Sequence, residues 1–410
     1  MAESQGNQGR SFQGWMISNL AMGAGFSAFV ALLIPPYITG ITGNAADAGV
    51  IMAIISLAAI LGPVLGGLAD RYRAHRSIMS LGVLGMAVAF FAYSISAEAQ
   101  AIYALEALLM GVSIAAVSAV GPAFIVGAKL PQALEARRLT TYNLVAPAGQ
   151  VLGGVLLGAA VAAGMGFDQR FTIAGFVMLG AFLITWFTSK EAADRIVVEA
   201  SSSEQNGKSS GFKQVLISIF GMYLLVLTLS SIANNGINNQ ISNILPNVYG
   251  FSELQTSTMI SLAGLLNLVL FLAAGRWMAR SGPMTVFNFG NLMRFLGGLG
   301  MAVLGMATNS PALLVVAFVQ ILYQGIPFVR LTQAALAVRF ATVSAGQASG
   351  WVIGASATGS FIGSVIGGYL ADNVGFNAIN WMAAIAAGVA VLLTVLILRP
   401  AYGKRVESSA

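Results

Sequence analysis

The sequence predicts an all-α polytopic membrane protein, with twelve transmembrane helices in two pseudo-symmetric six-helix bundles and both termini in the cytoplasm (N-in/C-in). Three observations carry this expectation. First, 57% of the 410 residues are hydrophobic and only 8% are charged, against about 25% charged in a soluble domain. So little polar surface cannot cover a water-soluble body of this size. Second, apolar stretches of membrane-crossing length recur from end to end. Third, the basic residues sort to one side of that arrangement.

A helix crossing about 30 Å of hydrocarbon needs roughly 20 mainly apolar residues. Stretches near 15–38, 48–68, 77–96, 101–126, 141–163 and 171–188 meet or nearly meet this in the first half. In the second half they fall near 214–245, 255–274, 284–307, 311–329, 343–370 and 377–398. The first stretch follows a polar leader whose one charged pair is Glu3 and Arg10, and it shows no small-residue cleavage pattern, so it is expected to remain as a span.

With the N-terminus inside, the cytoplasmic loops take 18 of the 20 Lys and Arg residues. Arg170 falls in an outer loop and Arg294 inside a span, while Asp47, Glu98, Asp168, Glu253 and Asp372 lie outside. This is the positive-inside pattern, and it supports the count and the orientation together. The formal charge of +6 is then a topology signal, and a nucleic-acid partner is not expected. The expected partners are the lipid bilayer and a small-molecule substrate, and the expected state is a monomer.

The longest polar segment, rich in serine, separates spans six and seven. It divides the chain into a cytoplasmic N-terminus (1–14), a first bundle (15–188), a linker (189–213), a second bundle (214–398) and a tail (399–410). The two bundles echo one another. Leu33-Ile34-Pro35-Pro36-Tyr37 ends span one and Ile244-Leu245-Pro246-Asn247-Val248-Tyr249 ends span seven, about 211 residues later. Gly66-Gly67-Leu68-Ala69-Asp70-Arg71 after span two matches Gly275-Arg276-Trp277-Met278-Ala279-Arg280 after span eight at nearly the same offset. A further echo links Gly62-Pro63-Val64-Leu65-Gly66-Gly67 to Gly363-Ser364-Val365-Ile366-Gly367-Gly368 in span eleven, as an inverted three-helix repeat requires.

Gly66-Gly67-Leu68-Ala69-Asp70-Arg71-Tyr72 resembles the loop signature G-x-L-A-D-R-x-G-R-K of the major facilitator superfamily. The Pro-Tyr ends of spans one and seven and the loop Glu135-Ala136-Arg137-Arg138 fit the same family. Arg73, Ala74 and His75 stand where the signature has Gly, Arg and Lys, and Arg76 restores a nearby charge. The resemblance implies alternating access between two bundles and a cytoplasmic latch formed by Asp70 and Arg71. Arg76, Arg276, Arg280 and Arg339 are gating candidates beside them, and Asp70 is expected to meet the N-terminus of span eleven, near Ser344. Ordinary charges at a helix end are the alternative.

Glu106 is the one acidic residue inside a span. The resemblance puts spans one, four, seven and ten around the central cavity, which makes Glu106 a proton-coupling acid or cation ligand; a Glu reaching interfacial water is the alternative. Asn235, Asn239 and Asn243 share a helical stripe with Asn234 and Asn238 beside it, so they either line a wet cavity or lie in an outer loop. Gln320, Tyr323 and Gln324 share a face of span ten, and Asn143 and Gln150 punctuate span five. Each is a substrate contact or interhelical glue. Arg294, at mid-span, is read as a substrate ligand or as a structural ion pair or carbonyl contact. Gly149, Gly153, Gly154 and Gly158, and the series Gly359, Gly363 and Gly367, form smooth faces. The resemblance places them at the interface between bundles, where they would permit rocking; packing alone is the alternative.

Zero Cys and a single His, His75, exclude disulfides, thiolate chemistry and histidine metal clusters, so neither a metal nor a cofactor is expected. No phosphate-cradling loop occurs, which leaves a proton or other ion gradient as the energy source. Charges within spans are too few for an enzyme. Proton-coupled efflux of an organic compound by an antiporter is the leading expectation, facilitated uptake or exchange of a polar metabolite or ion is next, and a non-transporting sensor is remote. The membrane expected is the bacterial inner membrane or one derived from it. The cysteine-free chain allows a direct check of orientation. Ser203→Cys in the linker should react with a membrane-impermeant maleimide only in inside-out vesicles; labelling in right-side-out vesicles would reverse the topology.

Overall fold

A computed structural model describes residues 11–96, 100–128, 130–196, 212–341 and 345–407, all in helices and the turns between them. Lys129, Lys208, Ser344 and most of the 189–213 linker lie outside the described residues, as do Met1–Arg10. In the first half the long helices are α1 Gly14–Thr42, α2 Ala45–Tyr72, α3 His75–Ile95, α4 Gln100–Val120, α5 Gln132–Ala162 and α6 Phe167–Thr188. In the second half they are α7 Ile219–Asn238, α8 Glu253–Ser281, α9 Pro283–Leu304, α10 Ala312–Phe340, α11 Ala345–Asn373 and α12 Asn377–Leu393. Eleven of these are long and apolar enough to cross a membrane. The remaining one is α9, whose 22 residues include Asn288, Asn291 and Arg294.

Several helices run past their apolar stretches. α5 begins at Gln132 and α10 continues to Phe340, because hydropathy marks only the part in hydrocarbon, whereas the hydrogen-bonded ladder continues wherever backbone geometry allows. α7 stops at Asn238 and a separate helix, Ile241–Tyr249, follows after a turn at Asn239 and Gln240. Local chemistry sets other ends. Ser218 Oγ accepts the Gly221 N–H at the start of α7, and Ser252 and Gln255 form a reciprocal capping box on α8. Arg73 caps α2 at φ 51°, the left-handed conformation for which the family signature carries Gly. The loop therefore keeps the turn and places a side chain where one costs about 1–2 kcal/mol.

The described chain forms two compact units. One holds α1 as far as Leu33 and the chain from Ala58 through α6; the other holds Ile34–Leu57 and the chain from α7 onward. In the first, α1 packs on α5, α2 on α4, and α3 on both α4 and α6. In the second, α7 packs on α11, α8 on α10, and α9 on both α10 and α12. Each pairing recurs six helices later, so the repeat read from loop landmarks extends to the helix contacts themselves.

Gly149, Gly153, Gly359 and Gly363 pack within their own units, the contact that the packing alternative requires. A Cβ on Gly23 would lie 1.7 Å from the Ala146 carbonyl oxygen, and one on Gly149 would lie 2.0 Å from that of Leu20. The equivalent pair in the second unit repeats this, with a Cβ on Gly359 reaching 2.3 Å from the Thr228 oxygen and one on Gly363 2.8 Å from that of Ile232. Gly67, by contrast, has nothing within 4 Å. Gly149→Val should therefore separate α5 from α1 and lower stability by about 1–3 kcal/mol or more, while Gly67→Ala leaves it unchanged; thermal unfolding in detergent distinguishes the two.

Candidate functional site

The second unit concentrates polar groups between its helices. At the end of α7 the expected asparagine stripe does not open into a loop at Ala233; the helix continues and its amides are spent on neighbours. Tyr323 Oη donates to Asn238 Oδ1 at 2.8 Å, tying α10 to α7. Asn239 Nδ2 donates to Ser364 Oγ at 2.6 Å, tying α7 to α11. Asn235 bonds to its own helix at the Ser231 carbonyl. Asn234 Oδ1 and Asn239 Oδ1 are both buried without a hydrogen-bond partner, and of these two residues Asn234 is the partly exposed one.

These ties continue onto the segment Ile34–Leu57. Asn243 Nδ2 donates to Thr39 Oγ1 at 3.0 Å and to Gln240 Oε1 at 2.8 Å, and Gln240 Nε2 donates to the Ala45 carbonyl at 3.3 Å. Ser364 Oγ donates to the Ser360 carbonyl, and Ser360 Oγ lies 2.7 Å from Ser56 Oγ. Gly49 and Gly368 allow the backbones of α2 and α11 to touch between these bonds, since a Cβ on Gly368 would lie 2.9 Å from the Gly49 Cα. The result is a clasp of hydroxyls and amides that holds the α1–α2 turn against α7 and α11. Sequence reasoning missed Thr39, Ser56, Gln240 and Ser360; the spacing of four between Ser360 and Ser364 was the available signal.

Nearer the start of α7, a groove of about 1030 Å³ separates it from α11. Its walls are mainly apolar, with Met222, Leu225 and Trp351, and a few polar groups, Ser218, Thr228 and Gln347, are set among them. Thr228 Oγ1 already donates to backbone carbonyls of both helices, at Leu224 and Ala355.

Arg294 is buried on α9 and meets α7 through Nη1, which donates to Ser230 Oγ at 2.5 Å and to the Ser230 carbonyl at 3.2 Å. Ser230 Oγ also pairs with Asn291 Oδ1. Gly325 makes room on α10 for the arginine stem, since a Cβ there would lie 2.9 Å from Arg294 Cγ. Of the alternatives left open by the sequence, the carbonyl contact is the one observed. Gln320 Nε2 donates to the Met259 carbonyl and Gln324 Nε2 to that of Ala263, both on α8. Gln320 and Gln324 thus tie α10 to α8, while Tyr323 of the same face ties it to α7.

In the first unit, His75 Nε2 and Asp70 Oδ1 are 2.8 Å apart, with His75 buried and Asp70 largely exposed. The ring of His75 stands edge-on to Phe124 at 6.4 Å. Arg71 lies over Tyr72, and Arg76 donates twice to the Trp186 carbonyl while its guanidinium sits 4.2 Å from the Trp186 ring. Arg76 thus joins the start of α3 to the end of α6. Arg276 and Arg280 are exposed at the end of α8, and Arg339 lies over the Tyr402 ring of the C-terminal helix Arg399–Glu407. Glu106 is 5% exposed, and its Oε1 accepts a hydrogen bond from Ser96 at the end of α3, while Oε2 has no partner. Asn143 is exposed on α5.

Two six-helix sets with repeated pairings and polar groups gathered on inner helices define a membrane-transporter fold. The chain belongs to the Major Facilitator Superfamily, whose model matches residues 15–341 and again 224–410. It is a transporter rather than an enzyme. No curated protein sequence matches it. Among solved structures, it resembles a mutant of the nucleoside transporter NupG at 12% identity and a TM-score of 0.72, covering 96% of this chain and 98% of the other. A mutant of a peptide transporter, POT, in complex with alafosfalin gives 13% identity and a TM-score of 0.77 over 96% and 94% of the two chains. A POT family transporter bound to 5-aminolevulinic acid gives 14% identity and a TM-score of 0.74 over 95% and 96%.

The Arg294 tie can be tested directly. Ser230→Ala removes its acceptor hydroxyl and leaves a buried guanidinium N–H under-satisfied, so stability in detergent should fall by about 1–3 kcal/mol. An unchanged unfolding midpoint would remove the structural role assigned to Arg294.

Proposed function

We propose that the protein is a secondary active transporter that moves a small organic solute by alternating access, as proton-coupled efflux. The groove between α7 and α11 carries this reading. Its volume of about 1030 Å³ and its walls of Trp351, Met222 and Leu225 with scattered hydroxyls suit a compound with an apolar body and a few polar groups. The asparagines and glutamines expected to bind a polar solute are mostly engaged with neighbouring helices, which favours this class over a polar metabolite. The amide oxygen of Asn234 supports the second reading, facilitated uptake or exchange of a polar metabolite.

In this reading the clasp of Thr39, Asn243, Gln240, Ser56 and Ser360 holds the outer end shut and releases in the opposite state. Asp70, held by His75, acts with Arg71 at the cytoplasmic end, where it meets the N-terminus of α11 when that side closes. Glu106 is the coupling acid, since it is buried in α4 with one oxygen free to carry a proton. The twelve-span N-in/C-in topology, the monomer and the bacterial inner membrane belong to the same proposal.

Purified protein in proteoliposomes with and without a pH gradient tests it. Gradient-driven flux of organic cations or drugs is expected in the parent and absent in Glu106→Gln. Gradient-independent flux of polar metabolites would establish the second reading, and saturable binding without flux would establish a sensor. In the same vesicles, Asp70→Asn should lower the rate with insertion intact, and Asn243→Ala should change the rate without altering gradient dependence. Wild-type kinetics in both would dismiss the two gates.

A further inference from the structure

We infer that the Asp70–His75 pair is a pH sensor for the cytoplasmic latch, in which proton uptake by His75 ties Asp70 down and proton loss frees it. Its effect on transport rests on the reading above, whereas the switch itself lies wholly within the first unit. His75 is the one histidine of the chain, and it occupies the position where the family signature carries Lys. A lysine there keeps its charge at physiological pH, whereas an imidazole ordinarily gains and loses one between about pH 5 and about pH 8.

The surroundings of His75 couple that proton to a bond. Nε2 lies 2.8 Å from Asp70 Oδ1, with the His75 side chain 4% exposed and that of Asp70 60% exposed. The ring stands edge-on to Phe124, which packs in an apolar cluster with Trp15, Ala69, Met79 and Tyr142. His75 also opens α3, where the helix dipole presents its positive end. An imidazolium in that place meets an apolar wall and the dipole, and the Asp70 carboxylate is what offsets both. The proton and the tie to Asp70 therefore come and go together.

The other charges at this end are placed elsewhere. Arg71 lies over Tyr72, Arg73 is exposed at its left-handed turn, and Arg76 donates to the Trp186 carbonyl. On the short helix Lys190–Asp194, which packs on α3, Glu191 pairs with Arg195, while Lys190 and Asp194 are exposed. α5 adds the cation Arg138, buried near Phe124. The described ends of α1, α4 and α6 beside His75 carry no titratable side chain. Among the described residues, Asp70 is the one acid bonded to the ring. Acidification thus holds Asp70 against its own unit as a charged pair. As pH rises, the bond loses its charged donor and Asp70 is released to the latch. For a pair with one exposed partner, the tied population changes by about two- to fivefold.

Electron paramagnetic resonance of a nitroxide on Arg73→Cys, in the otherwise cysteine-free full chain in nanodiscs, reads the loop without transport. The immobile component should be about two- to fivefold more populated at about pH 5 than at about pH 8. His75→Gln should abolish that difference, and His75→Lys should keep the immobile component at both pH values. In proteoliposomes with equal pH on both sides, substrate exchange should be slower at the acid pH. The ratio of the two rates in the parent should exceed that in His75→Gln by the same factor, which separates His75 from Glu106. A label indifferent to pH in the parent overturns the sensor, as does a pH dependence that survives His75→Gln. An exchange ratio equal in parent and both variants overturns its control of the latch. Where His75→Gln fails to fold, Asp70→Asn at the exposed end of the bond must abolish the same spectral difference. Absence of any flux from the parent defeats the transport reading, and the resonance measurement still decides the switch.

Discussion

Close backbone contact between paired inner helices is the constraint on which the rest of the structure depends. Lipid tails are as apolar as leucine, so nothing in hydrocarbon drives two helices together except packing and polar bonds between them. Glycine permits both by letting carbonyls and Cα atoms of one helix lie directly against the other. At Gly23 and Gly149 in the first unit, and at Gly359 and Gly363 in the second, any Cβ would overlap a backbone oxygen or its neighbour. The α1–α5 and α7–α11 pairs built this way recur at the same places in the repeat. The remaining helices of each unit pack around them with larger side chains, such as Phe29 on Phe90 and Tyr223 on Phe287.

Because the helices approach so closely, short polar side chains can reach across. Ser230, Asn238, Asn239, Ser360 and Ser364 all make interhelical contacts or support one. Each such bond contributes about 0.6 kcal/mol on average, so no single one holds the unit together, and a set of them can be released without unfolding it. That combination suits a protein that must exchange one set of helix contacts for another. Arg294 is the exception in magnitude. A charge at that depth would cost several kcal/mol without partners, and Ser230 satisfies one end of it through both hydroxyl and carbonyl.

The two ends of the helices use different chemistry. The α1–α2 turn is held by neutral amides and hydroxyls inside one unit, whereas the α2–α3 loop carries the Asp70–His75 pair and a row of arginines. Arg73 keeps the left-handed turn of the family signature without its glycine. The chain thereby accepts local strain in the loop that positions Asp70, and His75 fills the place of a longer cation while packing against Phe124. Charged loops remain hydrated and feel one another across several ångströms, whereas buried amide ladders act only at contact, so the two ends respond differently to salt.

The sequence by itself determined the class of fold, most of the helices, the six-plus-six repeat and the family. These follow from hydropathy, charge sorting and loop motifs, which are local properties imposed by the need to satisfy every backbone polar group inside hydrocarbon. It also singled out Glu106, Arg294, Asp70 and the asparagines as unusual for their depth or motif. Tertiary structure alone decided what each of them touches. Asn238, Gln320 and Arg294 bond to named neighbours, Gly149 and Gly359 pack within their own units, and α7 breaks at Asn239. Thr39, Ser56 and Gln240, unremarkable in sequence, join the clasp. The physical reason is that a polar residue in a membrane helix announces only that it needs a partner, while the identity of that partner depends on helix rotation and packing that no local pattern encodes.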